Sequence, residues 1–130
     1  NEAIAQKNEQ SLQALSPKEE SFNDRLLLKC NESYQLVNVA DIHWIEAVGN
    51  YVNLHCEEHN YLARQTMSKI CSELDPNVFI RIHRSTIVNI DRVKELQAIF
   101  KGDYALFLKD GKELKLSRNY RDAFFKHFKA

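Results

Sequence analysis

Two stretches of the sequence place arginine and asparagine where a predicted strand ends. FIRIHRSTIVNI, residues 79–90, holds two arginines and one histidine but no acid, and Arg84 falls between its apolar runs. LSRNYR, residues 116–121, places Arg118 and Asn119 between an apolar run and a helical pattern. Arginine can form two parallel hydrogen bonds with guanine, and asparagine with adenine. The pattern therefore indicates either base recognition by loops or ordinary solvated charge.

Enzymatic chemistry has much less support in the sequence. Ser85 and Ser117 lack a GxSxG context, and nothing in the sequence brings either beside a base and an orienting carboxylate. The chain has only three glycines and no glycine-rich phosphate loop. We therefore expect a protein that is not an enzyme and that uses no cofactor.

Metal and redox chemistry also find little support. His55, Cys56 and His59 form a cluster around a predicted hairpin turn, but no fourth ligand is evident, so we predict no metal site. Cys30, Cys56 and Cys71 are an odd number without paired spacing, which favours inert reduced thiols. A redox role for one of these thiols is the alternative.

Composition is that of one ordinary globular domain. The chain has 130 residues, of which 44% are hydrophobic and 28% charged, with a formal net charge of zero. It contains no apolar run long enough to cross a membrane and no apolar stretch near its start, so we expect a cytoplasmic protein. The charges are unevenly spread, since residues 115–129 hold five Lys or Arg and one acid. Such clustering creates a local positive field on a neutral protein.

The first 25 residues differ from the rest of the chain. Residues 1–25 are polar and poor in aromatics, and we interpret them as a linker or the tail of an upstream domain. The alternative is a docked amphipathic helix lined by Ile4, Leu12 and Leu15 and ended at Pro17. Residues 26–130 form the predicted folded domain.

Alternating apolar and polar residues from Leu26 onward predict many short strands. The strand patterns are LLLKC, YQLVNV, HWIEAV, YVNLHC, YLARQ, FIRIH, STIVNI, RVKELQAIF, YALFLK and KELKL. Thr66 is positioned to cap a short helix, Asp110-Gly111 is a strong hairpin signal, and RNYRDAFFKHF predicts a second helix with a broad apolar face. The fold class predicted is mostly β, antiparallel, with two short helices. Trp44, Phe79, Phe124 and Phe128 are the predicted aromatic core.

Three segments together resemble the LytTR family of bacterial DNA-binding domains. They are DIHWIEAVGNYVNLHCEEHNYLARQTMSKICSEL, FIRIHRSTIVNIDRVKEL and LFLKDGKELKLSRNYRDAF, within a resemblance that covers residues 26–128. The most specific pieces are WIEA followed by GNY, F-RIHRS followed by VN, and LSR followed by Tyr120.

The resemblance implies an elongated set of small antiparallel sheets whose loops, rather than a helix, enter the DNA grooves. It implies two copies bound to repeated sites about one turn apart, usually with bent DNA. It also implies the output domain of a transcriptional regulator, whose upstream partner is a receiver or sensor domain, as in a two-component system.

Candidate site residues follow from the positions that match the family. The resemblance implies base contacts from five residues, namely Asn50, Tyr51, Arg84, Arg118 and Asn119. Asn53 is a less certain addition. Three further cations are candidates for phosphate contacts, which set the register on DNA without reading bases, namely Lys69, Lys115 and Arg121. Two residues are expected to support the loops instead, namely His83 and Asn89.

Two other functions fit parts of the same pattern. Exposed strand edges could pair with a partner in a protein-interaction module. Alternatively, Tyr51 and Tyr120 could stack on unpaired bases in a single-stranded RNA-binding domain.

Overall fold

The computed structural model describes residues 22–128 of the chain. Within them the chain forms ten strands, two α-helices and two single-turn 3₁₀ helices, the latter at Val39–Asp41 and Ile90–Arg92. The strands are β1 (Arg25–Cys30), β2 (Ser33–Asn38), β3 (Ile42–Val48), β4 (Tyr51–Cys56), β5 (Asn60–Ala63), β6 (Phe79–His83), β7 (Thr86–Asn89), β8 (Val93–Ala98), β9 (Tyr104–Leu108) and β10 (Glu113–Leu116). The helices are α1 (Met67–Ser72) and α2 (Arg118–His127).

The described strands form three antiparallel sheets. The largest has five strands in the order β5-β4-β3-β7-β6, a second has the order β10-β9-β8, and β1 pairs with β2. Most neighbours are consecutive strands joined by short turns, as expected for antiparallel pairing. The predicted class, a mostly β fold of small antiparallel sheets with two short helices, is confirmed.

The five-stranded sheet has a separate hydrophobic core on each face. Successive side chains of a strand point to opposite faces, and in β3 Trp44 enters one core while Ile45 enters the other. The Ile45 core also holds side chains of β1 and α1, including Leu28 and Ile70. The Trp44 core holds side chains of β9, β10 and α2, including Leu106, Leu116 and Phe124. Strands β3, β7 and β6 of the central sheet are thus buried on both sides, which makes them a stiff support for their loops.

Local signals start the helices and close the hairpin as the sequence predicts. Thr66 Oγ1 accepts a hydrogen bond from the Lys69 amide at 3.0 Å, which caps α1. Between β9 and β10, Gly111 has φ +96° and Asp110 Oδ1 accepts from the Lys112 amide at 3.0 Å. A residue with a Cβ would be strained at that φ value, so glycine suits this turn.

Helix α2 buries a narrower face than its sequence predicts. Phe124 is buried and Tyr120 is half-buried, but Phe125 stays exposed. Phe128 is 49% exposed, so its assignment to the core is wrong. The reason is that Phe128 is the C-cap residue, where it contacts the Phe124 ring, with centroids 5.0 Å apart, at the end of a ten-residue helix.

Asn89 joins the two strands at the centre of the large sheet. It is the one buried polar side chain in the described part of the chain, at 2% exposure. Its Nδ2 donates to the Ile42 carbonyl at 2.8 Å, and its Oδ1 accepts from the Asp91 amide at 2.9 Å. One side chain therefore fixes both the start of β3 and the 3₁₀ turn after β7.

We expect Asn89→Ala to lower the free energy of unfolding by about 1–3 kcal/mol, because it leaves the Ile42 carbonyl without its partner. Urea denaturation measures the loss. Asn38→Ala is the matched control, since Asn38 also precedes a 3₁₀ turn but is exposed and its side chain makes no capping bond. Equal losses in the two variants would contradict the role given to Asn89.

Candidate nucleic-acid interface

Two turns of the five-stranded sheet lie side by side at one end. Gly49-Asn50 joins β3 to β4, and Arg84-Ser85 joins β6 to β7. Because β3 and β7 are antiparallel, with Glu46 opposite Thr86, the end of β3 lies beside the start of β7. The Ala47 amide donates to the Ser85 carbonyl at 2.9 Å. This bond extends the pairing of the two strands up to the turns.

The start of α2 reaches the same end. The Ser117 amide donates to the Ile82 carbonyl at 2.9 Å, which places the residue before α2 against the end of strand β6. Ser117 Oγ in turn accepts from the Asn119 amide at 3.4 Å. Arg118 and Asn119, far from Arg84 in sequence, are therefore near it in space.

A fourth connection arrives from β5. Val52, near the start of β4, pairs with Ala63, the last residue of β5. The segment 64–66 that leads into α1 therefore emerges beside Gly49-Asn50. We call the four connections together the loop edge: residues 49–50, 64–66, 84–85 and 117–119.

The five predicted base-contact residues all lie at this edge. Four are exposed, and the fifth, Tyr51, is half-buried as the first residue of β4. The exposed ones are Asn50, Arg84, Arg118 and Asn119. The central sheet thus brings together residues that the sequence holds in three separate stretches.

The predicted phosphate-contact cations lie close to the loop edge and are each paired with an acid. Lys69 in α1 pairs with Glu73 at 3.1 Å, and Arg121 in α2 approaches Asp122 at 3.5 Å. Lys115, one residue before the end of β10, lies 3.4 Å from Asp103. These cations are at or near the surface, so the pairs are weak and can be exchanged for phosphate.

Arg81 holds the backbone of the β6–β7 turn. Its Nη2 donates to the Arg84 carbonyl, while the Arg84 side chain stays exposed. The half-buried Arg81 is thus a structural cation and Arg84 an available one. The two arginines of FIRIHRS therefore differ in role, because one supports the turn and the other is exposed at its tip.

His83 accepts a hydrogen bond inside the same turn. Its Nδ1 accepts from the Ser85 amide at 3.2 Å and lies 3.0 Å from Ser85 Oγ. Burial, and then the charges of Lys115 and Arg84, hold the pKa of His83 below its ordinary value. The imidazole is therefore neutral at neutral pH, with Nδ1 free to accept.

Acid should weaken this turn. Because the pKa of His83 is lower in the folded chain than in the unfolded chain, its contribution is complete above the unfolded value of about 6.5 and is lost as pH falls through the folded value. We expect the free energy of unfolding to rise from pH 5.5 to 7.5 by less in His83→Asn than in the parent. Denaturation at several pH values measures this, with His59→Asn at an exposed turn as control. Parallel curves for parent and His83→Asn would contradict the assignment.

Asp103 fixes the start of α2 to the β8–β9 turn. Its Oδ1 accepts from the Arg118 amide at 2.9 Å, and Arg118 Nη1 donates to the Lys101 carbonyl at 3.3 Å. The bond from the Arg118 amide, followed by the Lys115 cation, holds the pKa of the Asp103 carboxyl below its ordinary value. No local pattern in the sequence indicates this contact across the domain.

The sequence also did not indicate that the β5–α1 segment lies at the loop edge. Arg64 is exposed and Gln65 half-buried, and both line a groove of about 450 Å³ with Asn50 and Tyr51. Gln65 Oε1 is buried and has no hydrogen-bond partner in the described part of the chain. The signal that could have found them is the hairpin register, which places the end of β5 beside the start of β4.

Other clusters of titratable groups show no metal geometry. Within residues 22–128, no three His, Cys, Asp or Glu side chains converge as metal ligands. His55 instead stacks on Trp44, with ring centroids 3.9 Å apart, and its Nε2 lies 2.6 Å from Glu46.

Burial raises the pKa of the Cys56 thiol to about 11, which makes this thiol a poor nucleophile.

The helices of the described region are short. Neither α1, with six residues, nor α2, with ten, has the length and apolar character needed to cross a membrane.

Comparison with known proteins gives consistent matches. The family model described as the LytTr DNA-binding domain matches residues 32–129. The sensory transduction protein LytT of Bacillus subtilis is 35% identical over 96 residues, which are 74% of this chain and 40% of that protein. The transcriptional regulatory protein LytR of Staphylococcus aureus is 28% identical over 110 residues, 85% of this chain and 43% of that protein. The chain thus spans about two fifths of the length of these curated relatives.

A solved structure shares the fold. It is the LytTr DNA-binding domain of a methyl-accepting/DNA response regulator from Bacillus cereus. The TM-score is 0.74 at 22% sequence identity, and the match covers 83% of this chain and 99% of the other.

Proposed function

This chain belongs to the LytTR family of DNA-binding domains, and from that membership we propose that it binds duplex DNA through the loop edge. One observation carries the proposal: a sheet whose strands β3, β7 and β6 are buried on both faces holds arginine and asparagine tips from separate connections at one end. Loops on a rigid scaffold are well suited to recognition, since their side chains are exposed while their bases are fixed.

Base readout is assigned to the exposed tips. Arg84 and Arg118 would each donate two parallel hydrogen bonds to guanine in the major groove, and Asn50 and Asn119 would pair with adenine in the same way. Tyr51, half-buried beside Asn50, would contact a base edge at the rim of the groove. Their exposure and their common edge support these roles.

Phosphate contacts would fix the position of the domain on the duplex. Lys69, Lys115 and Arg121 stand beside the base-contact tips, and each is paired with a carboxylate that phosphate would replace as its partner. His83 would serve by holding the turn that carries Arg84, whereas Asn89, at the other end of β7, would serve by tying β7 to the start of β3.

In the complete regulator the domain would be the output part. Its relatives are named as a sensory transduction protein and a transcriptional regulator, and both extend well beyond the region matched by this chain. A receiver or sensor domain would supply the input, with residues 1–25 as the connection. Two copies would occupy repeated sites on one duplex in the cytoplasm, doubling the contacts available to a small domain.

A fluorescence titration with duplex DNA, single-stranded DNA and RNA of one sequence tests the proposal. The sequence is selected by the chain from a random duplex pool. We expect the duplex to bind most tightly. Preference for a single strand would favour RNA binding, although half-buried Tyr120 packs against the Trp44 core and is poorly placed to stack on bases. Binding to none of the three would favour a protein-interaction module.

A further inference from the structure

The turn between β8 and β9 exposes large apolar side chains. Phe100 is 71% exposed, more than any other large hydrophobic residue in the described part of the chain, and its neighbour Ile99 is 55% exposed. Residues so exposed contribute little to the cores of the fold. A pair of them at the tip of a turn indicates contact with something outside the domain.

This turn is attached to the loop edge. The Lys101 carbonyl accepts from Arg118 Nη1, and Asp103 accepts from the Arg118 amide. Leu116, the last residue of β10, pairs with Tyr104, the first residue of β9. The tip therefore lies beside Arg118, one of the proposed base contacts.

The backbone of the tip is held in an uncommon conformation. Lys101 has φ +63° and Gly102 has φ +85°, so a residue with a Cβ adopts the left-handed region that favours glycine. The Ile99 amide donates to the Asp103 carbonyl at 3.0 Å and closes the turn. The tip is therefore a closed turn of defined shape.

The surroundings of the tip are cationic. The Lys101 ammonium lies 5.9 Å from the centroid of the Phe100 ring, and Arg121 packs against Gly102, where an added Cβ would stand 2.9 Å from Nη1. Protein interfaces are depleted of charge at their apolar centre. An apolar tip flanked by Lys101 and Arg121, with the Asp103 carboxylate already bonded to the Arg118 amide, instead suits a polyanion that has apolar base steps between its phosphates.

We propose that Phe100, supported by Ile99, enters the minor groove of the bound duplex as an apolar wedge next to the major groove read by Arg118. Partial unstacking of one base step would bend the DNA, and the bend would bring more phosphates to the cations of the loop edge. This inference rests on the proposed function and adds to it a contact that carries no hydrogen-bond readout.

The test uses a duplex selected by the chain from a random pool, with a donor and an acceptor dye at its two ends. We expect the parent to raise the energy transfer between the ends, and Phe100→Ala to lose most of that rise. Its affinity should fall about tenfold, while the ratio of selected to random binding should change little. Phe100→Leu keeps an apolar wedge and should retain most of the bend.

Phe128→Ala is the matched control, because Phe128 is exposed but lies at the opposite end of α2 from Arg118. It should bend and bind DNA like the parent. Thermal melting should show Phe100→Ala folded as the parent is, since its side chain is mostly in solvent. Parent-like bending and affinity in Phe100→Ala would overturn the wedge and favour a protein partner at this tip, while leaving the proposed function intact. A parent that binds no duplex would overturn both.

Discussion

Replacing Arg84 by alanine is expected to weaken binding to a selected duplex by about 1–3 kcal/mol, or about 5- to 150-fold, and replacing Arg118 should cost a similar amount. Each change removes a planar donor that can form two parallel bonds with one base. Both guanidinium groups are carried by connections at the loop edge, so neither contributes to a hydrophobic core. Titration of the selected duplex and of its single-base variants measures the effect.

Discrimination between bases is the decisive measurement for these variants. At the position each arginine reads, the preference for the selected base should be lost along with the affinity. Lys115→Ala is the control, because a phosphate contact carries no sequence information and should weaken all duplexes about equally. If the arginine variants lose as much affinity for random DNA as for the selected duplex, the assignment of base contacts is wrong.

The two arginines differ in their free state. Arg118 Nη1 already donates to the Lys101 carbonyl. The Arg84 guanidinium is exposed, and only the backbone of Arg84 is held, because its carbonyl accepts from Arg81 Nη2. Arg118→Ala therefore also releases the β8–β9 turn. Arg118→Lys restores the charge without the paired donors, so it should recover affinity for random DNA but not the base preference.

Raising monovalent salt fourfold, from about 50 to about 200 mM, is expected to lower the binding constant about 250- to 1,000-fold. This corresponds to a slope of log K against log salt of about −4 to −5, for about 4 to 6 neutralised phosphates. The net charge of zero does not remove the effect, because phosphates meet the local cations of the loop edge rather than the average charge.

Single substitutions separate the contributions to that slope. Lys115→Ala should make the slope smaller by about one, as the loss of one phosphate contact requires. Lys29→Ala, in the separate sheet of β1 and β2 and not on a loop-edge connection, should leave it unchanged. A binding constant that stays flat across this salt range would rule out the electrostatic part of the proposal.

Local sequence patterns predicted most elements of the fold correctly. The period-two alternation in HWIEAV places Trp44 and Ile45 on opposite faces, and the structure has them in separate cores. Thr66 caps α1, and Asp110-Gly111 closes a hairpin, because both signals act over three or four residues. The burial of Phe128 at the end of α2 was predicted wrongly. Helical spacing places Phe128 on the apolar face, but it does not show whether a neighbouring element extends far enough to cover that residue.

The composition of the candidate site also came from the sequence, through its resemblance to the LytTR family. Residues such as Arg84 and Asn50 were identified there, and their contacts with DNA stay predictions. The sequence did not identify the supporting contacts. Arg118 is held by Asp103 from another turn. Phe100 was not identified either, because no sequence pattern distinguishes a single exposed aromatic residue.

By itself, the sequence determined the element types, the caps and the turns, because these depend on residues close together in the chain, and it determined the family through motifs in three segments. Only the tertiary structure decided that four connections share one edge, that Asp103 and Lys101 hold Arg118, and that Phe100 stands beside them. The physical reason is that these arrangements rest on backbone pairings between distant segments, such as Glu46 with Thr86 and Ser117 with Ile82. Such pairings follow from the packing of the whole sheet and leave no mark within a local stretch of residues.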